Sequence, residues 1–314
     1  MILAIKLAFK ILFLDESYDM IYGSTPHGLE LLVFLRSLCL YNKPIVIWQH
    51  RALKSSTNPI RNLFLKFYYR GFDKFIMFSE LHIKETLSNK TTRKSKLVQM
   101  HWGPDINYFD KIISETKAEI AGNYFCSTGR ENRDFPTLIQ GFAASINSSL
   151  RIYTTKQHGK MNNEKLLLDY GDKYNNVEVY IIENTPNLNQ FLSQEVYKSK
   201  CAVISCHEHN YTVGLTSLLE AMALGKAVIT SDNPYFPIDV EKEGIGIKIP
   251  YGDPAAWTEA VDFISNNPEI CKEMGKKARK FIDDRCNSDL LSFNVAKCLY
   301  DVSKRKFNYS STNS

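Results

Sequence analysis

Residues 214–230, GLTSLLEAMALGKAVIT, combine a short apolar helix, a glycine stop and a buried strand. The predicted helix carries a single carboxylate, Glu220, among leucines, alanines and a methionine. Gly214 precedes the helix, so the first turn offers free backbone N–H groups and the positive end of the helix dipole to a phosphate. Glu220, one to two turns further along, could then accept hydrogen bonds from a diol such as a ribose. The alternative is a surface glutamate on a half-buried helix, since glutamate is rarely fully buried.

The rest of the chain alternates β-like runs with helical patterns. Ten runs are predicted as strands: 19–23, 44–48, 74–78, 96–100, 123–126, 150–153, 177–181, 202–205, 227–230 and 245–249. A Gly-Pro break at 101–105 separates the first four from the others. Strands that alternate with helices predict parallel sheets, and two series predict two doubly wound α/β domains. Ligands of such domains bind beyond the carboxyl ends of the strands, here in a cleft between the domains.

Composition agrees with a globular protein of this size. The chain has 314 residues, 44% hydrophobic and 23% charged, with a formal net charge of +5. This mildly basic net charge is compatible with binding to anionic small molecules or to an acidic membrane surface. It is lower than the net charge typical of nucleic-acid-binding proteins. Seven scattered cysteines without a CxxC pair predict free thiols in a reducing compartment. The apolar start, residues 1–14, is interrupted by Lys6 and Lys10 and is predicted to be an amphipathic or core helix.

Two arginines follow the first strand of the second series. In STGRENRDFPTLIQGF, residues 127–142, a strand leads into a turn with Arg130 and Arg133 and then into a helix from about Phe135. Both guanidinium groups would project at the carboxyl edge of the sheet, where each could bind a pyrophosphate through a bidentate fork. The alternative is a pair of solvated loop arginines, with Asp134 as the helix cap.

One histidine is placed to complete a site. His50, in IWQHRALK at 47–54, directly follows a buried strand and so lies at the carboxyl edge of the first sheet. Glu220 would bind a diol, the two arginines would bind phosphates, and His50 adds an imidazole, all at the ends of strands. This combination of groups is suited to a sugar that is linked to a nucleoside diphosphate. A lone histidine is more often structural, so His50 gains weight only from this combination.

Two further stretches leave alternatives open. His207 and His209 flank Glu208 and could bind a metal, but no third ligand stands at a fixed spacing, so a loop is favoured. Residues 60–74, IRNLFLKFYYRGFDK, mix basic and aromatic side chains and could lie on an anionic membrane. An amphipathic core helix with a solvated basic face is the favoured interpretation.

These motifs resemble a known family. The run 214–230 resembles the donor-site signature of the retaining GT-B glycosyltransferases of family 4. Residues 124–142 resemble the first strand and loop of that family's donor domain, and 101–109, HWGPDINYF, resemble its interdomain link. The resemblance extends in order over roughly residues 19 to 300.

The resemblance implies two Rossmann-like doubly wound domains that face a cleft, with a truncated N-terminal domain. Residues 1–105 would form the shortened acceptor side and 106–285 the nucleotide-sugar donor side. Residues 286–303 would form a C-terminal helix that packs back on the N-terminal domain, and 304–314 a flexible tail.

The resemblance also implies roles for individual residues. Glu220 would hold the ribose hydroxyls, and Arg130 would be the arginine of the phosphate clamp. Arg133 stands near the usual lysine, and His50 would lie near the reacting sugar. The remaining donor-binding positions are Gly129, Thr212, Gly214, Leu215 and Thr216, the last three through backbone N–H groups facing the diphosphate. Thr212 stands eight positions before Glu220, where the family has the first glutamate of an acidic pair, so contact with the donor sugar is expected to differ.

The implied activity is that of a retaining, hexosyltransferase-type glycosyltransferase. It would move a sugar from a UDP- or GDP-sugar to a glycan or glycolipid acceptor in cell-surface polysaccharide biosynthesis. No metal and no nucleic-acid partner are expected. The expected location is cytoplasmic, with peripheral contact at the inner face of the membrane as an option. The alternatives are a catalytically inactive partner subunit of a glycosyltransferase complex and a sugar-nucleotide 2-epimerase of the same architecture.

Overall fold

A computed structural model describes residues 2–14, 16–116, 122–158, 161–170 and 173–311. The chain forms two compact units: unit 1 comprises residues 1–101 with 291–314, and unit 2 comprises 102–290. The predicted domain limits at 105 and 285 lie within five residues of these divisions.

The elements follow the predicted rhythm. The strands are β1 Ile21–Gly23, β2 Ile45–Trp48, β3 Lys74–Met77, β4 Leu97–Gln99, β5 Tyr124–Thr128, β6 Ser149–Thr155, β7 Gln157–His158, β8 Met161–Asn162, β9 Val177–Ile182, β10 Cys201–Ile204, β11 Val228–Ser231 and β12 Gly246–Ile249. The helices are α1 Ile2–Leu12, α2 Glu30–Ser37, α3 Pro59–Arg70, α4 Glu80–Ser88, α5 Ile106–Glu115, α6 Phe135–Ala144, α7 Glu164–Tyr170, α8 Leu188–Lys198, α9 Leu215–Ala223, α10 Pro254–Asn266, α11 Pro268–Arg285 and α12 Ser288–Ser311.

Unit 1 contains a four-stranded parallel sheet in the order β1-β2-β3-β4. Because successive side chains of a strand point to opposite faces, Ile45 and Ile47 share one face and Val46 and Trp48 the other. The first pair packs in the same core as residues of α1, α2 and α3. The second pair packs with Cys298 and Val302 of α12 and with Ile76 of β3. The last helix therefore covers the face of the sheet that the preceding helices leave open.

The helix starts in unit 1 are determined by local sequence. The side chain of Asn58 accepts hydrogen bonds from the backbone N–H groups of Ile60 at 3.0 Å and Arg61 at 3.1 Å, and Pro59 occupies the first turn of α3. The cap thus satisfies two N–H groups of the first turn, and the proline has no N–H that needs a partner. Residues 2–12 form a helix, as predicted, with Ala8 fully buried.

Unit 2 contains a six-stranded parallel sheet in the order β12-β11-β10-β5-β6-β9. This is the doubly wound order, in which the chain starts in the middle and builds outward in both directions. Its core lies between the sheet and the flanking helices and includes Phe125, Phe142 and Trp257. The order reverses between β5 and β10, so the loops after these two strands diverge and leave a crevice at their carboxyl ends.

All ten predicted runs are strands, and the predicted α/β class with two parallel sheets is confirmed. Two features differ from the predictions. The antiparallel pair β7–β8 was not predicted, because strands of two residues leave no periodicity to detect. Helix α12 continues to Ser311, beyond the predicted end at Ser303, because no glycine or proline interrupts this stretch. Of the predicted flexible tail, residues 312–314 lie outside the described residues.

Candidate functional site

The loops after β5 and β10 bring most of the predicted site residues of unit 2 together. Arg133 follows β5 and precedes α6, whose first turn is capped by Asp134 through a 3.3 Å hydrogen bond from the N–H of Thr137. Gly214 and Glu220 follow β10, at the start of and within α9. These positions are the crevice of a doubly wound sheet, where such folds bind ligands.

Arg133 is the buried cation of this site. Only 6% of its surface is exposed. Its guanidinium Nη1 lies 3.1 Å from the sulfur of Cys206, and Nη2 donates to Ser217 Oγ at 2.8 Å. Its Nε is buried without a hydrogen-bond partner, and among the described residues no carboxylate oxygen lies within 4 Å of the guanidinium. A buried cation that lacks a counter-ion is costly unless an anion arrives to neutralise it.

Two glycines leave the space that this guanidinium occupies. A Cβ on Gly129 would lie 2.2 Å from Arg133 Nε, and one on Gly214 would lie 3.1 Å from Nη1 and 2.9 Å from Cys206 Sγ. Both glycines have positive φ, +140° and +89°, which side-chain-bearing residues rarely adopt. Gly129 and Gly214 are therefore required for two reasons: a side chain at either position would crowd Arg133, and the backbone has a positive φ.

The start of α9 has free donors. The N–H groups of Gly214, Thr216 and Ser217 have no hydrogen-bond partner in the described part of the chain. The N–H of Leu215 differs from the prediction because it donates to the carbonyl of Thr212 at 3.2 Å. Ser217 thus takes the place of Leu215 among the amides available to an anion. Free amides, the helix dipole and the Arg133 guanidinium all contribute positive potential at the same helix end.

Glu220 lies on the next turn of the same helix. Burial raises the pKa of its carboxyl group to about 7, and the charge of Arg133 opposes this shift. The residue is partly exposed, and among the described residues no group forms a hydrogen bond or an ion pair with its carboxylate. The chain thus holds an acid in an apolar helix without a protein partner and within electrostatic range of the buried arginine.

Other polar atoms at this sheet edge lack partners too. The hydroxyl oxygens of Ser127, at the end of β5, and Ser205, after β10, are buried without a hydrogen bond. The same holds for the hydroxyl of Tyr251, in the loop after β12, and burial raises its pKa. Buried polar groups are nearly always paired, so a cluster of orphans indicates a binding site for a polar ligand. Sequence reasoning missed these three residues because serine and tyrosine carry no signal of burial.

The loop after β5 is fastened to the loop after β10. The carbonyl of Asn132 accepts from the N–H of His207 at 3.0 Å, and its side-chain amide donates to the hydroxyl of Tyr211 at 2.6 Å. The Tyr211 hydroxyl donates to the carboxylate of Glu131 at 2.7 Å. Arg130, in contrast, is exposed, and Thr212 is partly exposed. Of the two predicted clamp arginines, Arg133 is fixed in the site and Arg130 lies on its solvent side.

The possible metal motif does not assemble a ligand set. His207 Nδ1 lies 3.9 Å from a carboxylate oxygen of Asp134, and the ring of His209 lies 5.6 Å from that of Tyr211. Within the ranges that the structure describes, no three histidine, cysteine, aspartate or glutamate side chains come together.

His50 belongs to unit 1. It follows β2 at the carboxyl edge of that sheet, is exposed, and has its ring 5.5 Å from the ring of Phe78, which follows β3. Its placement at a strand end is as predicted, and its role stays a prediction.

Residues 158–281 match the family model described as glycosyl transferases group 1. The match includes Gly214 and Glu220 and ends before α12. Among curated proteins, none matches the sequence at a significant level.

Several solved structures share the fold over nearly the whole chain. Anabaena Alr3699/HepE in complex with UDP-glucose is 15% identical with a TM-score of 0.71, covering 95% of this chain and 82% of that one. Sucrose-phosphate synthase from Thermosynechococcus elongatus is 17% identical with a TM-score of 0.73, covering 96% and 78%. Alpha,alpha-trehalose 6-phosphate synthase from Burkholderia multivorans is 11% identical with a TM-score of 0.74, covering 99% and 76%.

Residues 158–281 are thus similar to the glycosyl transferases group 1 family, and the chain has the GT-B fold of these structures. The resemblance of residues 214–230 to this family is confirmed by the match, whereas residues 124–142 lie outside the matched range.

Proposed function

We propose that the protein transfers a hexose from a UDP- or GDP-sugar to a glycan or glycolipid acceptor, with retention of configuration. One observation carries this proposal: the buried Arg133 guanidinium lacks a counter-ion beside free amides of α9, and the unpaired acid Glu220 follows on the same helix. A diphosphate supplies the missing anion, and a ribose diol supplies two donors to the carboxylate. The glycosyl transferases group 1 match and the nucleotide complex of a similar structure agree with this ligand class.

The same charges account for the chemistry. Cleavage of the bond between sugar and phosphate develops negative charge on the leaving diphosphate. Preorganised donors that meet such charge lower the barrier more than any other single contribution. Arg133 and the N–H groups of Gly214, Thr216 and Ser217 would meet it in this protein, with Arg130 adding charge from the solvent side. We propose that this positive potential replaces a metal ion and that the acceptor attacks on the face the diphosphate leaves, through an oxocarbenium-like state.

Thr212 and His50 complete the proposal. Thr212 would stand near the donor sugar with a hydroxyl in place of a carboxylate, which changes the hydroxyl contacts available for sugar selection. His50 would lie near the reacting sugar, the role that the resemblance implies. His50→Ala is then expected to lower kcat while the dissociation constant for UDP stays unchanged.

Calorimetry tests the donor site directly. UDP and GDP are titrated into the protein alongside uridine and guanosine, without added metal and with EDTA present. We expect one of the diphosphates to bind at least about 100-fold more tightly than its nucleoside, because charge-assisted contacts to the phosphates are lost in the nucleoside. Glu220→Ala should weaken both the diphosphate and the nucleoside, because each carries the ribose. Equal affinity for the diphosphate and its nucleoside would contradict the proposal that this site binds the phosphates.

The reaction itself is tested with the nucleotide-sugar that binds best. Incubation with membrane lipids and glycans as acceptors should release the nucleoside diphosphate and label an acceptor with the α or β configuration of the donor. A changed sugar nucleotide in the absence of acceptor would indicate an epimerase. Absence of nucleotide binding would indicate an inactive partner subunit.

We further propose that unit 1 contacts an anionic membrane through α3. Ile60, Leu63 and Phe64 project from one side of this helix with 80%, 70% and 54% of their surfaces exposed. Arg61 and Lys66 are exposed as well, and α3 contains no acidic residue. Apolar side chains flanked by cations match the acyl boundary and the headgroups of an anionic lipid surface. None of the helices, over the residues that the structure describes, is long and apolar enough to span a membrane.

A further inference from the structure

A cavity of about 780 Å³ opens at the amino end of the six-stranded sheet in unit 2. Asn123 directly precedes β5, Lys200 directly precedes β10, and Lys226 stands two residues before β11; all three line this cavity. Because β5, β10 and β11 run parallel, the cavity lies at the opposite edge of the sheet from the crevice that holds Arg133. It is therefore separate from the candidate donor site.

The cavity has a large excess of positive charge. Six of its lining residues are lysine or arginine and two are aspartate, an excess of four charges in a chain of formal net charge +5. Both aspartates are already paired within the lining. Arg279 donates to Asp283 at 2.8 Å and also to Asp110, outside the lining, at 2.6 Å. Lys280 Nζ lies 2.9 Å from a carboxylate oxygen of Asp284.

Three of the remaining lysines have no acidic partner. Lys276 pairs with Glu273, which lies outside the lining. Over the described ranges of the chain, no carboxylate oxygen lies within 4 Å of the ammonium groups of Lys200, Lys226 or Lys272. Like charges around one cavity repel each other, and a bound anion replaces this repulsion by attraction.

Lys226 is held in position and has donors left for a ligand. The residue is partly buried, and its Nζ donates to the carbonyl of Ser199 at 2.7 Å and lies 5.1 Å from the centre of the Tyr197 ring. Burial lowers the pKa of its ammonium group. Of the three N–H donors of an ammonium group, one is used in this hydrogen bond. An anion that accepts from the others would offset the lost hydration of the charge.

Close packing of α11 fixes the shape of the cavity. A Cβ on Gly275 of α11 would lie 2.2 Å from the carbonyl oxygen of Gly225, so this approach of the helix requires glycine. Arg279 of the same helix donates to the carbonyl of Ala223, the last residue of α9, at 3.1 Å. Since helices and strand ends supply the lining, a ligand does not have to order a loop on binding.

We propose that this cavity is a second anion site, which binds a phosphorylated small molecule. Its volume lies within the range of about 300–1,000 Å³ that is typical of small-molecule sites, and a concave site of this size suits a small molecule better than a polymer. Lysine ammonium groups bind phosphate as point charges. Neither Arg133 nor Glu220 takes part in this binding.

Pyridoxal 5′-phosphate is a probe of both phosphate recognition and lysine access. Its aldehyde condenses with a lysine amine, water leaves, and borohydride reduces the imine to a stable amine that peptide mapping detects. In the full chain, the most strongly labelled of Lys200, Lys226 and Lys272 should carry at least about fivefold more label than the exposed Lys242. Excess inorganic phosphate should suppress this label. Pyridoxal, which lacks the phosphate, should show no such preference, and Arg133→Met should leave the labelling unchanged.

Titration calorimetry with inorganic pyrophosphate measures the same site without chemical labelling. Every protein carries Arg133→Met, so that the candidate donor site contributes little to binding. Lys200→Gln combined with Lys272→Gln should weaken pyrophosphate binding by at least about tenfold, because two charge-assisted contacts are lost. Lys242→Gln is the matched control at an exposed lysine outside the lining and should change the affinity by less than about twofold.

Two results would overturn the proposal. One is label that follows the exposure of the lysines and is insensitive to inorganic phosphate, because the lysines would then be independently solvated. The other is pyrophosphate binding that is absent, or that Lys242→Gln weakens as much as the double variant does.

Discussion

The guanidinium of Arg133 donates to the hydroxyl of Ser217 at 2.8 Å, which fixes the cation that follows β5 on the first turn of the helix that follows β10. The side chain of Arg133 thus joins the loops after β5 and β10, which diverge where the strand order of the sheet reverses. Since the N–H group of Ser217 is also free, one residue orients the arginine through its side chain and offers a donor through its backbone.

The first prediction concerns this arginine. Arg133→Met should weaken binding of UDP or GDP by about 10- to 100-fold, because a charge-assisted contact contributes roughly 1.5–3 kcal/mol. Binding of the matching nucleoside should not change. The melting temperature of the free protein should stay equal or rise, because a buried cation without a counter-ion is replaced by an apolar side chain of similar length. Calorimetry and thermal unfolding measure both effects.

Arg130→Met is the matched control for that variant. Arg130 is exposed on the same loop, so its loss should weaken diphosphate binding by less than about fivefold. A larger effect at Arg130 than at Arg133 would contradict the assignment of Arg133 as the central cation.

The second prediction is a pH dependence of stability that originates at Glu220. Its pKa rises from the ordinary 4.5 to about 7 on folding, so the folded state favours the protonated carboxyl group. The contribution to stability is fully present below pH 4.5 and is lost as the pH rises to about 7. The loss amounts to at most about 3 kcal/mol in the free energy of unfolding.

Urea unfolding at pH 5 and pH 8 measures this term. Glu220→Gln cannot titrate, and all other groups are unchanged, so the variant should lose less stability between the two pH values than the parent chain. An identical pH dependence in both proteins would show that the carboxylate is solvated in the folded state.

The third prediction compares two glycines. Gly214 and Gly252 both have positive φ, +89° and +68°, but a Cβ has no atom within 4 Å at Gly252 and meets Arg133 and Cys206 at Gly214. Alanine at either position costs about 1 kcal/mol from backbone strain. Gly214→Ala should cost more than Gly252→Ala in the free energy of unfolding and should also weaken diphosphate binding, because it displaces the guanidinium. Chemical denaturation with calorimetry checks the pair, and equal effects on binding would count against the packing argument.

The fourth prediction tests the membrane contact of α3. The double variant Leu63→Ser with Phe64→Ser should reduce co-sedimentation with vesicles of phosphatidylcholine and phosphatidylglycerol by about tenfold, because each removes apolar surface from the acyl boundary. Binding by the parent chain should fall with added salt. Ile146→Ser is the control, since this side chain is 94% exposed in unit 2. An equal loss with Ile146→Ser, or no binding by the parent chain, would reject the contact.

Most of the fold could be predicted from the sequence because strand and helix periodicities are visible in all its elements except the two-residue strands β7 and β8. All ten predicted strands are present in the structure. The sequence also predicted that the site lies at the carboxyl ends of strands, as it does at β5 and β10. The sequence could not distinguish the inward arginine from the outward one. Arg133 is buried because Gly129 lacks a Cβ and Ser217 meets the guanidinium, and both conditions depend on tertiary packing.

The amides of α9 illustrate the same limit. A glycine before an apolar helix predicts free N–H groups, but which residues keep them depends on the turn that precedes the helix. Here the N–H of Leu215 donates to the carbonyl of Thr212 in a tight turn, whereas the N–H of Ser217 stays available to a ligand. The orphan hydroxyls of Ser127, Ser205 and Tyr251 became visible only once burial was known.

The helix that closes unit 1 has a consequence for how the molecule is made. Val46, Trp48 and Ile76 are buried against Cys298 and Val302, which lie beyond all of unit 2 in the sequence. During synthesis, one apolar face of the first sheet therefore stays uncovered while almost two hundred further residues are added to the chain. A chain that is truncated within unit 2 lacks the helix that covers this face, so the apolar side chains of the first sheet stay exposed in it.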